Sequence, residues 1–397
     1  MYNKRNIILF TIFFVLYETV TYLSNDMIMP AMLLVVNQFH APVSSIAKSL
    51  SFFIIGGSLL QIFLGPIADR FGKRNVMLFG NLLFLLATVL IPFSSSMNQF
   101  LLARLFQGMG MCFIFIGYAM IHELLNDVQA VRATSIMANI TIFAPLVGPI
   151  IGSVITNISS WEYVFIVTWI LGLVSLCGLF IYMPRGKILT KELNKNNILN
   201  GYKNIFSNKN FLLGIGLSSI SLVPIISWIG LSPIIIVKSM HNSFSVYLIY
   251  QSIIFAGFIL SSVLMQIIAG KFSFYNLIIY GSSIAVLGLF ITLIFNKNGN
   301  LFIVGMFISA FGIGLYNGPT IRLAMKATGE SINLNSATMC LVNGLFLAVG
   351  LEIANILCDY YSYSLKTFSI INIFIGGLII ILSSIFAKQY KTREWMV

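Results

Sequence analysis

Residues 7–30 read IILFTIFFVLYETVTYLSNDMIMP, an apolar stretch long enough to cross a bilayer that carries two carboxylates, Glu18 and Asp26. At 3.6 residues per turn, Glu18, Tyr22, Asn25 and Asp26 are expected on one stripe, with Ile12, Phe13, Val15, Leu16 and Val20 filling the rest. A carboxylate in the middle of a membrane helix costs roughly 2.5–3.5 kcal/mol even on lenient insertion scales. Such groups face a cavity and mark a pathway for an ion or a substrate. The stretch is therefore expected to be the first helix of a transporter, with both acids among its working parts.

The rest of the chain agrees with a membrane protein. Of 397 residues 58% are hydrophobic and only 9% charged, far below the quarter that soluble domains carry. Mean hydropathy is +0.95. A net charge of +12 raises nucleic acid as a partner, but the basic residues fall between apolar segments, where they set topology. Cys112, Cys177, Cys340 and Cys358 form no CxxC pair and read as packing residues, and no cofactor or metal signature is present. A cleaved signal peptide does not fit the first stretch, which carries two acids, lacks a small-x-small site and is followed by many similar segments.

Twelve segments have spanning length: 7–29, 46–66, 76–93, 99–121, 132–156, 161–183, 211–236, 244–268, 275–295, 301–323, 334–357 and 364–386. The polar stretch Pro184 to Asn210, with Arg185, Lys187, Lys191, Lys195, Lys203 and Lys209 against a lone Glu192, divides them into two groups of six. The expected organisation is a six-helix half over 1–183, a cytoplasmic central loop over 184–210 and a second six-helix half over 211–397. With the N-terminus inside, eighteen of the 23 Lys and Arg residues face the cytoplasm. Only Lys48, Lys238, Lys297 and Lys366 face outward, and Arg104 lies within the membrane. That bias places both termini in the cytoplasm.

The halves echo one another. Gln61-x-x-x-Gly65 is matched by Gln266-x-x-x-Gly270, and Gly108-Met109-Gly110 by Gly312-Ile313-Gly314. Parallel six-helix repeats build one large transporter fold, with its substrate site near mid-membrane between the halves. Counted from the glycine pairs, Arg104 corresponds to Ile308, so ion chemistry is expected in the first half alone, apart from Glu352. Burial favours the neutral form of a carboxylate and an entering cation favours its charged form, so proton and substrate exclude one another at a single acid. An acid of the first helix, Glu18 or Asp26, is expected to take that role. Arg104 tunes it, since an arginine stays protonated and cannot carry the proton. A purely structural Asp26–Arg104 pair is the plainer alternative. His40, His122, His241, Glu123 and Asp127 read as loop or helix-end residues.

Three motifs make the resemblance specific. Gly65-Pro66-Ile67-Ala68-Asp69-Arg70-Phe71-Gly72-Lys73-Arg74 resembles the signature loop between the second and third helices of the major facilitator superfamily. Gly65 and Gly72 are expected to permit its tight turn and close helix approach. Arg104-x-x-Gln107-Gly108 resembles the superfamily's buried-arginine motif, with Gln107, nearby carbonyls and a first-helix acid as expected partners. Ala144-Pro145-Leu146-Val147-Gly148-Pro149-Ile150-Ile151-Gly152 resembles its antiporter signature. Two prolines and two glycines there should bend and thin the fifth helix so that it packs closely and gates. Leu16-Tyr17-Glu18, Asn25-Asp26-Met27-Ile28, Met137-Ala138-Asn139, Trp228-Ile229, Ser232 to Ile236 and Val349 to Ile353 resemble the multidrug/proton antiporter branch.

That resemblance implies an all-α integral membrane protein of twelve transmembrane helices in two halves. It implies export of lipophilic cationic or neutral drugs in exchange for protons, driven by the proton motive force without a cofactor. The resemblance also implies a monomer in the inner membrane of a bacterium, with no nucleic-acid partner. Asp26, near the middle of the superfamily's cavity, would exchange the proton directly, with Arg104 tuning it and Glu18 recognising cations and helping to carry the proton. Tyr22, Asn25, Met137 and Asn139 would line the substrate pocket, and Ile225, Trp228 and Ile229 its second wall. Aromatic and Met walls suit a broad range of apolar ligands. An exporter of one metabolite, such as a sugar, amino acid or siderophore, would show a pocket of polar hydrogen-bonding residues instead. A membrane enzyme would need a catalytic cluster of His, Asp or Cys at the bilayer surface, which the sequence lacks.

Overall fold

A computed structural model describes residues 4–125, 127–185, 195–268 and 271–390. Its α-helices, in chain order, are α1 (Lys4–Asp26), α2 (Met32–Gln38), α3 (Ser45–Leu59), α4 (Gln61–Phe71), α5 (Lys73–Leu90), α6 (Met97–Cys112), α7 (Ile114–Leu124), α8 (Asp127–Ile158) and α9 (Glu162–Tyr182). Then follow α10 (Lys195–Ser207), α11 (Lys209–Ser232), α12 (Phe244–Ile268), α13 (Phe274–Ile294), α14 (Gly299–Ala327), α15 (Ile332–Tyr360) and α16 (Leu365–Lys388). Helices close their own backbone hydrogen bonds, which is why an apolar chain in lipid adopts them. Among the described residues ten helical segments are long and apolar enough to cross a membrane, and the pair α3–α4, bent by 43°, makes an eleventh. The 32-residue α8 carries a shorter apolar stretch over its described part Phe143–Ile158.

Local chemistry explains the ends. α1 stops at Asp26 because Pro30 follows inside the short 3-10 turn Met29–Ala31, and proline cannot donate to a continuing ladder. The span resumes in α2, so it runs to Gln38 rather than to residue 29. Asn208, Ser273, Asn298, Ser331 and Ser364 each accept a backbone N–H at the start of α11, α13, α14, α15 and α16, satisfying donors that a helix start leaves open.

Two compact units divide at Lys195 and Asn196. Each has the same internal pairing. In the first, α3 and α5 pack on α6, α5 on α9, and α1 on α8 and α9. In the second, α12 and α13 pack on α14, α13 on α16, and α11 on α15 and α16. Close backbone approaches set the register of the repeat. A Cβ on Gly56 would sit 2.0 Å from the Leu105 oxygen, and one on Gly257 2.6 Å from the Phe307 oxygen. Those crossings align Leu105 with Phe307 and therefore Gly110 with Gly312, each facing the next helix of its unit, Phe84 on α5 and Ala285 on α13. The counterpart of Arg104 is then Met306, fully buried and uncharged, not Ile308. The glycine pairs are offset by two residues, because which glycine meets which neighbour is fixed by the crossing and not by the spacing of the pair. Gly270 lies outside the described residues.

The central stretch 184–210 is not loop throughout. Lys195–Ser207 is helical, with Ile205 buried on a face it shares with Tyr202. Asn204 donates to Glu330 (2.9 Å) and Asn208 to the Ala327 carbonyl (2.9 Å), docking this segment on the second unit. Leu199, Tyr202 and Phe206 recur at helical spacing among the asparagines and lysines, a signal that overall polarity conceals.

Candidate functional site

Asn25, not a carboxylate, meets the buried arginine. Arg104 on α6 is fully buried. Its Nη2 donates to Asn25 Oδ1 at 2.7 Å, its Nη1 to Gln107 Oε1 at 2.6 Å and its Nε to Ser49 Oγ at 3.2 Å. The guanidinium also lies 4.6 Å from the centre of the Phe53 ring. Gln107 passes the network to Thr88 on α5 (3.0 Å). Gly108 permits the stacking, since a Cβ there would lie 2.1 Å from the Phe53 oxygen. The expected partner Gln107 is present, whereas a direct bond from Arg104 to Asp26 is absent among the described residues. Asn25 bridges them, its Nδ2 donating to Asp26 Oδ1 at 3.3 Å. An aspartate at position 25 would have met the arginine face to face. The neighbour at 26 points one helical step away.

Asp26, 5% exposed, turns toward α8. A Cβ on Gly148 would fall 2.7 Å from Asp26 Cβ, and one on Gly152 only 1.8 Å from the Met27 carbonyl oxygen. The PxxGPxxG helix, with Pro145 and Pro149 inside it, thus presses its two small positions onto the residue pair Asp26–Met27. Glu18 is buried as well, but its Oε1 accepts from the Tyr118 hydroxyl of α7 at 2.8 Å, and its Oε2 has no hydrogen-bond partner among the described residues. The two acids therefore do not share one stripe of contacts. Eight residues turn about 80° beyond two full turns and rise about 12 Å, so Glu18 meets α7 where Asp26 meets α8. Tyr17, one residue earlier, ties α1 to α6 through its hydroxyl and the Gly110 carbonyl (2.6 Å).

The remaining expected pocket residues fall in several places. Met137 is fully buried in the core formed with Phe14 and Tyr17, and the half-buried Tyr22 packs against that core. The side chains of Asn139 and Asp127 lie outside the described residues. In the second unit Ile225, Trp228 and Ile229 are buried on α11, and the Trp228 ring packs 5.6 Å from Phe302 and 5.8 Å from Phe368. Glu352 accepts from Asn355 (3.4 Å) on its own helix, α15.

The signature segment Gly65–Arg74 divides differently from its reading as a turn. Gly65 lies within α4 and a Cβ there would meet nothing within 4 Å, so it provides neither a turn nor a close approach. Asp69 and Arg70 sit in the last turns of α4. Gly72 alone, at φ 86°, makes the α4–α5 corner, in the left-handed region that side chains avoid. Lys73 forms an ion pair with Glu123 of α7, and Arg74 donates to the Phe180 carbonyl of α9. Glu123, read from sequence as a solvated loop acid, is therefore the partner of this corner. Ser49, Phe53, Thr88 and Tyr118 were invisible as site residues because Ser, Thr and aromatic side chains are common in membrane helices. Their only signal is the burial that the fold imposes.

The sequence model of the Major Facilitator Superfamily matches residues 14–354. The chain belongs to that superfamily. It is 33% identical to the multidrug transporter MdfA of Yersinia pestis bv. Antiqua (strain Angola) over 391 residues, covering 97% of this chain and 95% of the relative. It is 35% identical to the multidrug transporter MdfA of Escherichia coli O157:H7 over 362 residues, covering 88% and 87%. Among solved structures, this superfamily member resembles the D-xylose–proton symporter at a TM-score of 0.73 with 17% identity, over 98% of this chain and 100% of the other. The nucleoside transporter NupG matches at 0.74 with 12% identity, over 96% and 100%. At such identities these two likenesses concern the fold alone.

Proposed function

We propose that this chain is a proton-coupled multidrug exporter, exchanging external protons for cytoplasmic lipophilic drugs, cationic or neutral. The observation that carries the reading is the buried Asp26, joined through Asn25 to Arg104 and overlaid by the glycines of the antiporter-like helix. One carboxylate cannot hold a proton and a cation together, so occupancy by either drives out the other. Arg104 stays charged and cannot carry the proton; through Asn25 it holds the Asp26 segment in place and contributes a fixed positive field. Glu18, with a free oxygen and a phenol donor, suits the recognition of cations. Tyr22, Met137, Asn139, Ile225, Trp228 and Ile229 are the proposed apolar and hydrogen-bonding contacts for the drug. Relatives named as multidrug transporters at 33–35% identity support this substrate class. The proposed setting is a monomer in a bacterial inner membrane with both termini cytoplasmic. The chain's superfamily is one of transporters, and no enzymatic activity is part of this proposal.

Everted membrane vesicles holding the chain test this directly. Energised vesicles should accumulate a lipophilic cationic dye, and adding the dye should release protons that a pH-sensitive probe records. Uptake that persists after the proton gradient is collapsed overturns the proposal.

A further inference from the structure

One sizeable cavity involves none of these residues. A groove of about 880 Å³ runs between α11, α15 and α16 of the second unit, within the ~300–1,000 Å³ range of pockets that hold drug-sized molecules. Its walls include Val223, Val349, Ile353, Ile371 and Phe374. Val349, Ile353 and Phe374 are 57%, 53% and 73% exposed, so the groove opens to the surroundings of the helix pair. α15 and α16 touch only sparingly for sequence neighbours, which leaves the slot between them. The three lining residues with polar side chains, Tyr361, Lys366 and Thr367, all come from one end, the turn after α15 and the first turn of α16. Lys366 is exposed and pairs with no described carboxylate.

We propose that this groove is a seat for a membrane phospholipid, one acyl chain in the slot and its phosphate on Lys366. Water cannot be satisfied by such walls, and in a membrane the slot fills with hydrocarbon. Hydrocarbon alone confers no preference, because lipid tails are as apolar as leucine. Selection therefore comes from the polar end. An unpaired ammonium beside a hydroxyl and a phenol suits a phosphodiester, whereas a lipophilic cation would bring its charge against Lys366. A second copy of the chain is the other candidate, and its apolar surface would leave the lysine unpaired.

Native mass spectrometry of the full chain, released from micelles containing either a phosphatidylglycerol or the diacylglycerol with the same tails, distinguishes these occupants. The phosphatidylglycerol should be retained and the diacylglycerol lost. Lys366→Glu should reduce retention about fivefold or more, from the ~1 kcal/mol that one lysine contributes at an anionic lipid surface. Lys366→Arg should keep it, and Ile353→Trp should abolish it by filling the slot. Both positions are exposed, and helical circular dichroism verifies folding; Lys366→Gln serves if the charge reversal does not insert. Equal retention of the two lipids, wild-type retention in Lys366→Glu, or a dimer that Ile353→Trp dissociates overturns the proposal. Dye efflux is scored separately, so failure here leaves the exporter reading untouched, and the reverse.

Discussion

Gly152→Ala adds one methyl group to the antiporter-like helix, and the structure shows where it lands. The new Cβ lies 1.8 Å from the Met27 carbonyl oxygen, 2.7 Å from its carbonyl carbon and 2.9 Å from its Cα. All three are main-chain atoms, so no rotamer change can relieve the contact. Real Cβ atoms do not come nearer than about 3.0 Å; α8 and α1 must part by about 1.2 Å, because packed backbones do not compress. A gap of that size forfeits about half or more of the local dispersion energy, and overpacking of this kind costs about 1–3 kcal/mol. The shift falls on the residue next to Asp26, so exchange should suffer more than insertion. Gly65→Ala is the matched control, since its Cβ meets open space inside a helix and should be neutral or stabilising by up to about 1 kcal/mol. Both glycines belong to signature motifs, so motif membership alone anticipates equal damage. The assay is dye efflux normalised to membrane-inserted protein, alongside thermal unfolding in detergent. Wild-type efflux and stability in Gly152→Ala, or equal loss in the two variants, refutes the reasoning.

Asp26→Asn should abolish drug-linked proton release while the protein still inserts; retained release removes Asp26 from the exchange. Glu18→Gln should harm export of cationic drugs more than neutral ones, because only cations need the charge, and equal loss for both contradicts that assignment. Arg104→Lys and Asn25→Ala should each weaken exchange, and their double mutant should show a coupling of about 0.5–3 kcal/mol, since the 2.7 Å bond between them is one link; strict additivity in the efflux rates rejects the bridge. Lys73→Glu should impair transport, and Lys73→Glu with Glu123→Lys should restore part of it by reversing the ion pair; no rescue means the corner depends on something else.

Much of the site could be read in advance because membrane insertion makes each charge conspicuous. Glu18, Asp26 and Arg104 stand out against apolar neighbours by cost alone, and Gln107 by its place one turn from the arginine. Gly148 and Gly152 were marked by their spacing with Pro145 and Pro149. Tyr118 could not be anticipated, since a tyrosine in a membrane helix is unremarkable until a carboxylate is found beside it. Nor could the helix over Lys195–Ser207, whose polar composition masks its apolar face.

By itself, the sequence determined the membrane class, the superfamily and the all-helical fold, and it marked the buried charges of the first helices as candidates. Each of these follows from hydropathy, length, short motifs and the expense of a charge in lipid, which act locally along the chain. Tertiary structure decided which groups touch. It set Asn25 between Arg104 and Asp26, turned Glu18 to a different helix, aligned Arg104 with Met306, and separated the glycine that needs its missing side chain from the one that does not. Those outcomes depend on helix crossings at ångström separations, where a register shift of two residues exchanges one neighbour for another, and no local property of the chain records that.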